Sequence, residues 1–391
     1  MPAEIHGTVE GGFDRVADAF EANFAANGEL GAAVVVYEGG RRVVDLWGGT
    51  ADLRTRRPWL SDTPAVVFSV TKGVLAICAY RLVQQGRLDL DAPVARYWPE
   101  FAAHGKAGIT VRMLLSHRAG LPALDTALSL SEVLSWDPVI SAVEEQEPLW
   151  EPGMAHSYHT MTYGWLVGEV IRRITGQGPG TFVRAELSGP LGLDLWIGAP
   201  QSVIDRAARL EPPMPDTDPV LAATIAEWSA HEPVAERAAT MGGAFGFPVA
   251  EGQVTFNDPA IQLAEIPGAN GMGTADGLAR LYASCVSDVD GQRIMTSGQI
   301  DDAVVVRSSG RQIFGPPDRG ERWGTGFLLD SPPAQPLLGP RSFGHGGAGG
   351  ELAFADETYR LGFGYINNRM GGIGDMRATL LTAAVQSCLR A

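Results

Sequence analysis

Lysine is nearly absent from this chain. Of its 30 basic residues, 28 are arginine, and only Lys72 and Lys106 are lysine. Arginine keeps its proton in a protein, whereas a desolvated lysine can give it up. A lysine that survives in such a chain is therefore a candidate for a place where deprotonation is needed. Lys106, in HGKAG, reads as a leftover surface residue by the usual exposure of lysine. Cysteine is scarce too. Cys78, Cys285 and Cys388 are scattered, which excludes a disulfide framework and a CxxC metal clip and makes a reducing cytoplasm the expected location. Positive charge is in deficit: 45 acidic residues give a net charge of −15, with a pI near 4.9. A polyanion such as nucleic acid is repelled by that field. No uncharged apolar run approaches the ~18 residues of a membrane span. The opening MPAEIHGTVEGGFDR has neither the basic region nor the apolar core of a secretory leader.

Several catalytic signatures are also missing. There is no GxSxG around a serine, no HExxH, no GxxxxGK[ST] and no GxGxxG after a strand. His156 and His159 have no further ligands at metal spacing. His117, in LLSHRAG, is a conceivable triad base, but a lone histidine there is expected to pin its own turn.

What is present is an ordinary globular chain of 391 residues, 45% hydrophobic and 19% charged. That apolar content builds a core and excludes disorder as the main state. At about 150 residues per domain, two to three domains are predicted. Phe13, Val16, Phe20 and Phe24 recur at helical spacing. AAVVVYEGGRRVVDLWGG reads as two strands joined at Glu38-Gly39-Gly40. A buried helix is predicted from about Ser69 to Gly86. Residues 128–147 and MTYGWLVGEVIRRITG also read as helices, and Thr274 caps another. Residues 195–260 look like surface excursions. WGTGFLLD, RSFGHGG, GELAFADE and YRLGFGYINN read as four short strands, and Asp375 as the cap of a closing helix. Strands thus lie at both ends and helices in the middle. The predicted fold is α+β: an antiparallel sheet built from both chain ends and flanked by helices, with a helical domain inserted. Residues 1–70 and 275–391 form the sheet domain and 71–274 the helical one, with a site in the cleft between them.

Three segments carry candidate chemistry. In Ser69-Val70-Thr71-Lys72, the lysine lies one helical turn after the serine, on the same face. The helix N-terminus favours an alkoxide at Ser69 and disfavours a charged Lys72. Burial among Phe68, Val74 and Leu75 pushes the same way, so a neutral Lys72 can take the Ser69 proton. Tyr158, in Tyr158-His159-Thr160, is either a second acid/base or a structural phenol bonded to a carbonyl. His345-Gly346-Gly347-Ala348-Gly349-Gly350 is either a Gly-rich hairpin turn or a strand end that aims an N–H at a developing oxyanion.

Taken together, these segments resemble the serine β-lactamase and penicillin-binding-protein superfamily. The order and spacing agree, with SxxK near residue 70, a Tyr motif about ninety residues on and a strand motif near the C-terminus. More closely, the chain resembles the family VIII carboxylesterases, the branch with a class C β-lactamase-like fold. The stretches that carry this are FSVTKG, LLSHRAGL, EPGMAHSYHTMTYGWLVGEVIRRITG, NGMGTADGLARLYA, FGHGGAGGELAFAD and FGYINNRM. The resemblance implies Ser69 as the acylated nucleophile, Lys72 as its base and Tyr158 as the proton relay to the leaving group. It implies the N–H groups of Ser69 and Ala348 as the oxyanion hole. Thr160 stands where the lactamase motif has Asn. His345, Gly346 and Gly347 stand where it has Lys, a hydroxyl residue and Gly, so the groups that hold a β-lactam carboxylate are gone. The implied function is a serine carboxylesterase acting on short-chain esters through an acyl-enzyme, with no cofactor and no partner beyond the small ester, as a monomer or homodimer. The alternatives are a β-lactamase, D-amino peptidase or oligoamide hydrolase of the same fold, or a catalytically dead ligand-binding protein.

Overall fold

Gly31–Glu38 and Arg41–Asp52 form the centre of a large antiparallel sheet. They are joined at Gly39 and Gly40, whose φ angles of 57° and 86° suit the left-handed two-residue hairpin turn that strand twist favours. Leu361–Asn367 pairs with Gly31–Glu38, with Tyr365 opposite Val34, so the two ends of the chain meet in one sheet. A computed structural model describes residues 3–214, 223, 233–246, 255–316, 318–372 and 374–390. Across the sheet the order is Ile5–Val9, Arg41–Asp52, Gly31–Glu38, Leu361–Asn367, Leu352–Asp356, Ser342–Gly346, Leu328–Leu329, Arg322–Trp323 and Ser308–Ser309. Arg57–Pro58 pairs off this path as the tenth strand.

Both faces of this sheet are covered, so its central strands are apolar throughout rather than alternating. Val34, Val36 and Phe363 pack with Phe20 and Leu381 of the terminal helices Asp14–Ala26 and Arg377–Leu389. Ala33, Val35 and Ala353 face the other way, into the main core with Leu278 and Ala279 of the helix Ala275–Val286. That helix lies close because Gly362 and Gly364 have no side chain. A Cβ on either would fall 2.3 Å from Ala279 O or 2.4 Å from Ala275 O. The helix Val70–Gln84 is buried on nearly every side and packs against Thr162–Thr175. A smaller sheet orders Ala65–Val66, Met272–Gly273 and Leu195–Trp196.

Several expectations need correction. Residues 128–147 form two helices, Leu130–Leu134 and Asp137–Glu145, broken at Trp136 with φ +67°. WGTGFLLD splits into two strands because Gly326, at φ +89°, turns the chain between them. Ile5–Val9 pairs with Arg41–Asp52 as an edge strand; it is mostly exposed, so it shows no apolar alternation. Asp375 precedes the cap residue Met376, and its carboxylate binds the Arg377 N–H and guanidinium. Lys106 is fully buried. Its ammonium donates to the carbonyls of Glu144 (2.8 Å) and Gln146 (2.6 Å), groups that the end of the Asp137–Glu145 helix leaves unpaired. Of the stretch 195–260, Leu195–Trp196, Gln201–Ile204 and Pro233–Thr240 are ordered elements. Residues 215–222, 224–232 and 247–254 lie outside the described residues. No helix among the described residues is long and apolar enough to cross a membrane.

Candidate active site

Ser69 sits at a forced turn from strand to helix. The strand Ala65–Val66 pairs with Met272–Gly273, and Val67 N–H donates to Gly271 O at 2.8 Å. Phe68 then takes φ +44°, a left-handed conformation that a bulky residue holds only when its surroundings impose it. Thr71 imposes part of it. Its hydroxyl donates to Phe68 O (2.5 Å) and accepts from Gly271 N–H (3.0 Å). Between residues 63 and 80, Ser69 alone is not fully buried. The turn thus presents one hydroxyl to the cleft from an otherwise sealed segment.

Lys72 Nζ lies 2.9 Å from Ser69 Oγ and 2.6 Å from Gly268 O. It is fully buried, and among the described residues no carboxylate pairs with it. Burial alone holds its pKa well below the ordinary lysine value. One N–H is committed to the Gly268 carbonyl, which leaves the nitrogen lone pair for Ser69.

Tyr158 closes the other side. Its N–H donates to Gln312 Oε1 at 2.7 Å, and its ring lies 4.7 Å from His117 and 5.1 Å from Trp323, centre to centre. Lys72 Nζ is 5.0 Å from the ring centre. Burial raises the phenol pKa, and a hydrogen bond with Ser69 opposes that rise. The phenol therefore stands beside Lys72 and Ser69 in the same site. His117, with φ +61°, is not a base here. Its Nδ1 accepts from His159 N–H at 3.2 Å, and burial and neighbouring histidines keep it neutral. It pins the Tyr158 loop rather than its own turn alone. His159 is likewise structural, bonded to Ser157 O (2.7 Å) and Leu121 N–H (3.1 Å).

The Gly-rich segment arrives from the sheet. His345 Nδ1 donates to Gly346 O at 2.7 Å, which leaves Nε2 as an acceptor 3.5 Å from the Tyr158 hydroxyl. Burial first, then Lys72, hold its pKa at about 3, so the imidazole is neutral. A Cβ on Gly347 would lie 2.7 Å from Val67 O, so the turn abuts the segment that leads into Ser69. Among the described residues, neither the Ser69 N–H nor the Ala348 N–H has a protein acceptor. Gly347, Gly349 and Gly350 have theirs. Thr160 lines a pocket of about 360 Å³ beside Tyr158, together with Pro122, Gln312, Phe314 and the helix Pro233–Thr240.

The structure thus gathers Ser69, Lys72, Tyr158 and His345 into one cleft, with Gly346, Gly347 and Ala348 at its rim. Sequence reasoning missed Gly268, Gln312 and Trp323. Each comes from a stretch without a motif and acts through a backbone atom, an amide or a ring face, so no spacing announces it.

Known proteins resemble this chain over nearly its whole length. The family model described as Beta-lactamase matches residues 16–386. The chain is 34% identical over 375 residues to the esterase/beta-lactamase LipL of Mycobacterium tuberculosis, covering 94% of this chain and 83% of that one. A crystal structure of a family VIII carboxylesterase superimposes with a TM-score of 0.86 at 35% identity, over 98% of this chain and 100% of the other. A penicillin-binding protein homologue from Caulobacter crescentus gives 0.84 at 36% identity, with coverage of 98% and 100%. These matches take in both ends of the sheet and the helices that hold Ser69, and on them the chain belongs to the beta-lactamase family.

Proposed function

We propose that this protein is a serine carboxylesterase that hydrolyses neutral, short-chain esters through an acyl-enzyme. The observation that carries this reading is a fully buried lysine, unpaired with any carboxylate among the described residues, 2.9 Å from a partly buried serine. Neutral Lys72 takes the Ser69 proton as Oγ attacks the ester carbonyl carbon. The oxyanion is held by the N–H groups of Ser69 and Ala348. The Tyr158 hydroxyl gives its proton to the departing alcohol and recovers one from Lys72. Water then attacks the acyl-enzyme by the same route and releases the acid. The names of LipL and of the family VIII carboxylesterase support an ester substrate. The pocket beside Tyr158, walled by alanines of Pro233–Thr240, takes a small apolar group. On this reading the sheet domain is 1–70 with 275–391 and the helical domain 71–274, with the site in the cleft between them. Three unpaired thiols fit a cytoplasmic location.

The amide and lactam alternatives weaken at His345. A charge-assisted contact to a substrate carboxylate contributes about 1.5–3 kcal/mol, or roughly ten- to a hundredfold in rate. A neutral imidazole followed by Gly346 offers no such contact. The test compares kcat/KM for p-nitrophenyl acetate and nitrocefin, with Ser69→Ala alongside. A large ester preference that Ser69→Ala abolishes supports the reading; comparable values for the two substrates overturn it. Fluorophosphonate labelling at Ser69 excludes a dead binding protein, and failure to label points to one.

A further inference from the structure

One buried acid remains unused by this mechanism. Glu351 follows the Gly-rich turn and is 1% exposed; its side chain is folded back into the turn and forms no salt bridge among the described residues, although the Arg377 charge acts on it from nearby. Its backbone carbonyl accepts from Gly347 N–H at 2.7 Å, and its Oε2 accepts from Gly349 N–H at 3.0 Å. Among the described residues its Oε1 is buried without a partner. The side chain fills the space that Cβ atoms would take. A Cβ on Gly347 would fall 2.3 Å from Oε2, and one on Gly349 would fall 2.2 Å from Oε1. A side chain at either position would collide with Glu351, and at Gly347 with Val67 O as well.

The rest of the turn is equally committed. Gly350 N–H donates to Gly347 O at 3.1 Å, and Gly349 O accepts from Gly371 N–H (2.9 Å) and from the Arg377 guanidinium (3.2 Å). On its other flank Gly347 lies against Val67 O, in the turn that carries Ser69. Every N–H from Gly347 to Gly350 is thus held except that of Ala348.

We infer that Glu351 is a positioning residue: its side chain, packed inside the Gly347–Gly349 turn and bonded to Gly349, fixes the direction of the free Ala348 N–H toward Ser69. The inference rests on the proposed role of that N–H in the oxyanion hole. Burial raises the Glu351 carboxyl to about 8, so at neutral pH it does not set a negative charge beneath an oxyanion.

The experiment measures kcat and KM for p-nitrophenyl acetate on Glu351→Gln, Glu351→Ala, Gly349→Ala and the Glu351→Ala/Gly349→Ala double variant, with folding followed by melting. Loss of one oxyanion donor lowers kcat by about 10²–10³, so a misaimed one should lower it by at least about tenfold. Glu351→Ala and Gly349→Ala should each show that fall with KM nearly unchanged, because the contact forms in the transition state. Glu351→Gln keeps an acceptor for Gly349 and should stay near wild type. In the double variant the alanine at 349 no longer meets the carboxylate, so it should add almost nothing. Full kcat in folded Glu351→Ala, or losses that multiply in the double variant, overturns the inference. If Glu351→Ala does not fold, Glu351→Asp, one methylene short of Gly349, must show the same fall in kcat. Ser69→Ala, run in parallel, separates the two readings. Activity retained there removes the catalytic assignment, whereas an inactive Ser69→Ala beside a fully active Glu351→Ala removes only the positioning role.

Discussion

Unlike Lys106, where Glu145, Glu144 and Glu147 oppose the effect of burial, Lys72 is buried with no carboxylate charge acting on it. Its pKa is lowered by desolvation alone, so the unprotonated amine is present far below the usual lysine range. The acid limb of kcat/KM should therefore lie well below the ordinary lysine pKa, rising with pH as Lys72 deprotonates. A limb at the pKa of free lysine in a pH–rate profile would contradict this. Lys72→Arg keeps the charge but cannot serve as a base. It should lose on the order of 10²-fold in kcat, close to Lys72→Ala. Glu351 gives a second pH effect, in stability. Its carboxyl is raised from 4.5 to about 8 in the folded protein, so between those values the folded chain binds more protons than the unfolded one. Its contribution is therefore full at low pH and is lost as pH rises through that window. Glu351→Gln removes the titration, so the melting temperature of the variant relative to wild type should climb from about pH 5 to about pH 8. A constant difference would show that Glu351 does not titrate there. At this scale Lys72 was legible because a lone lysine after SxxK at a helix head has few innocent explanations. Lys106 was misread because the carbonyls it caps lie some forty residues on, at Glu144 and Gln146. Glu351 had no signal, since an acid after a glycine run looks like any surface turn.

Where the elements meet, single atoms decide how closely they approach. The helix that carries Lys72 comes against Ala275–Val286 at Gly73, where a Cβ would fall 2.2 Å from the Tyr282 hydroxyl. That hydroxyl is buried and, among the described residues, unpartnered, so it cannot give way toward a better bond. Gly73→Ala should overpack this contact, destabilise by about 1–3 kcal/mol and lower kcat by shifting Lys72. Tyr282→Phe removes the obstructing oxygen. Alone it should be neutral or slightly stabilising, because an unsatisfied buried group disappears. Combined with Gly73→Ala it should restore most of the lost stability. Thermal melts of the two single variants and the double variant check this, and strict additivity would show that Gly73 matters for another reason. The helix itself was readable from its apolar run and from Gly86. The break at Trp136 was not, since positive φ on a tryptophan is chosen by packing and leaves no mark in propensity. The pairing of Ile5–Val9 was hidden for the opposite reason: an edge strand with little burial need not alternate.

Across the whole molecule, the two ends of the chain are joined by more than strand pairing. Arg377, in the last helix, donates to Glu29 Oε1 at 2.9 Å and to Asp375 at 2.6 Å. Tyr365, in the strand that pairs with Gly31–Glu38, also bonds Glu29. The side chains of Glu29 and Arg377 are 0% and 3% exposed, so neither can fall back on water. Burial raises the Glu29 pKa, and Arg377 first, then the Tyr365 hydrogen bond, pull it down; removing the guanidinium leaves the burial opposed by the Tyr365 bond alone. Arg377→Met should therefore destabilise by about 3–5 kcal/mol, the usual effect of breaking a buried pair. The double variant Glu29→Met/Arg377→Met removes both charges and should recover much of that loss, since apolar replacement of a buried pair is often neutral. Denaturant midpoints of the three variants measure it, and a double variant no better than Arg377→Met alone would refute the pair as the cause. The same guanidinium donates to Gly349 O in the turn that carries Ala348. Even where the double variant regains its stability, it should therefore keep a reduced kcat, because the turn has lost an anchor that a methionine cannot replace. Recovery of stability without recovery of rate would separate two roles of one arginine, joining the chain ends and steadying the rim of the cleft.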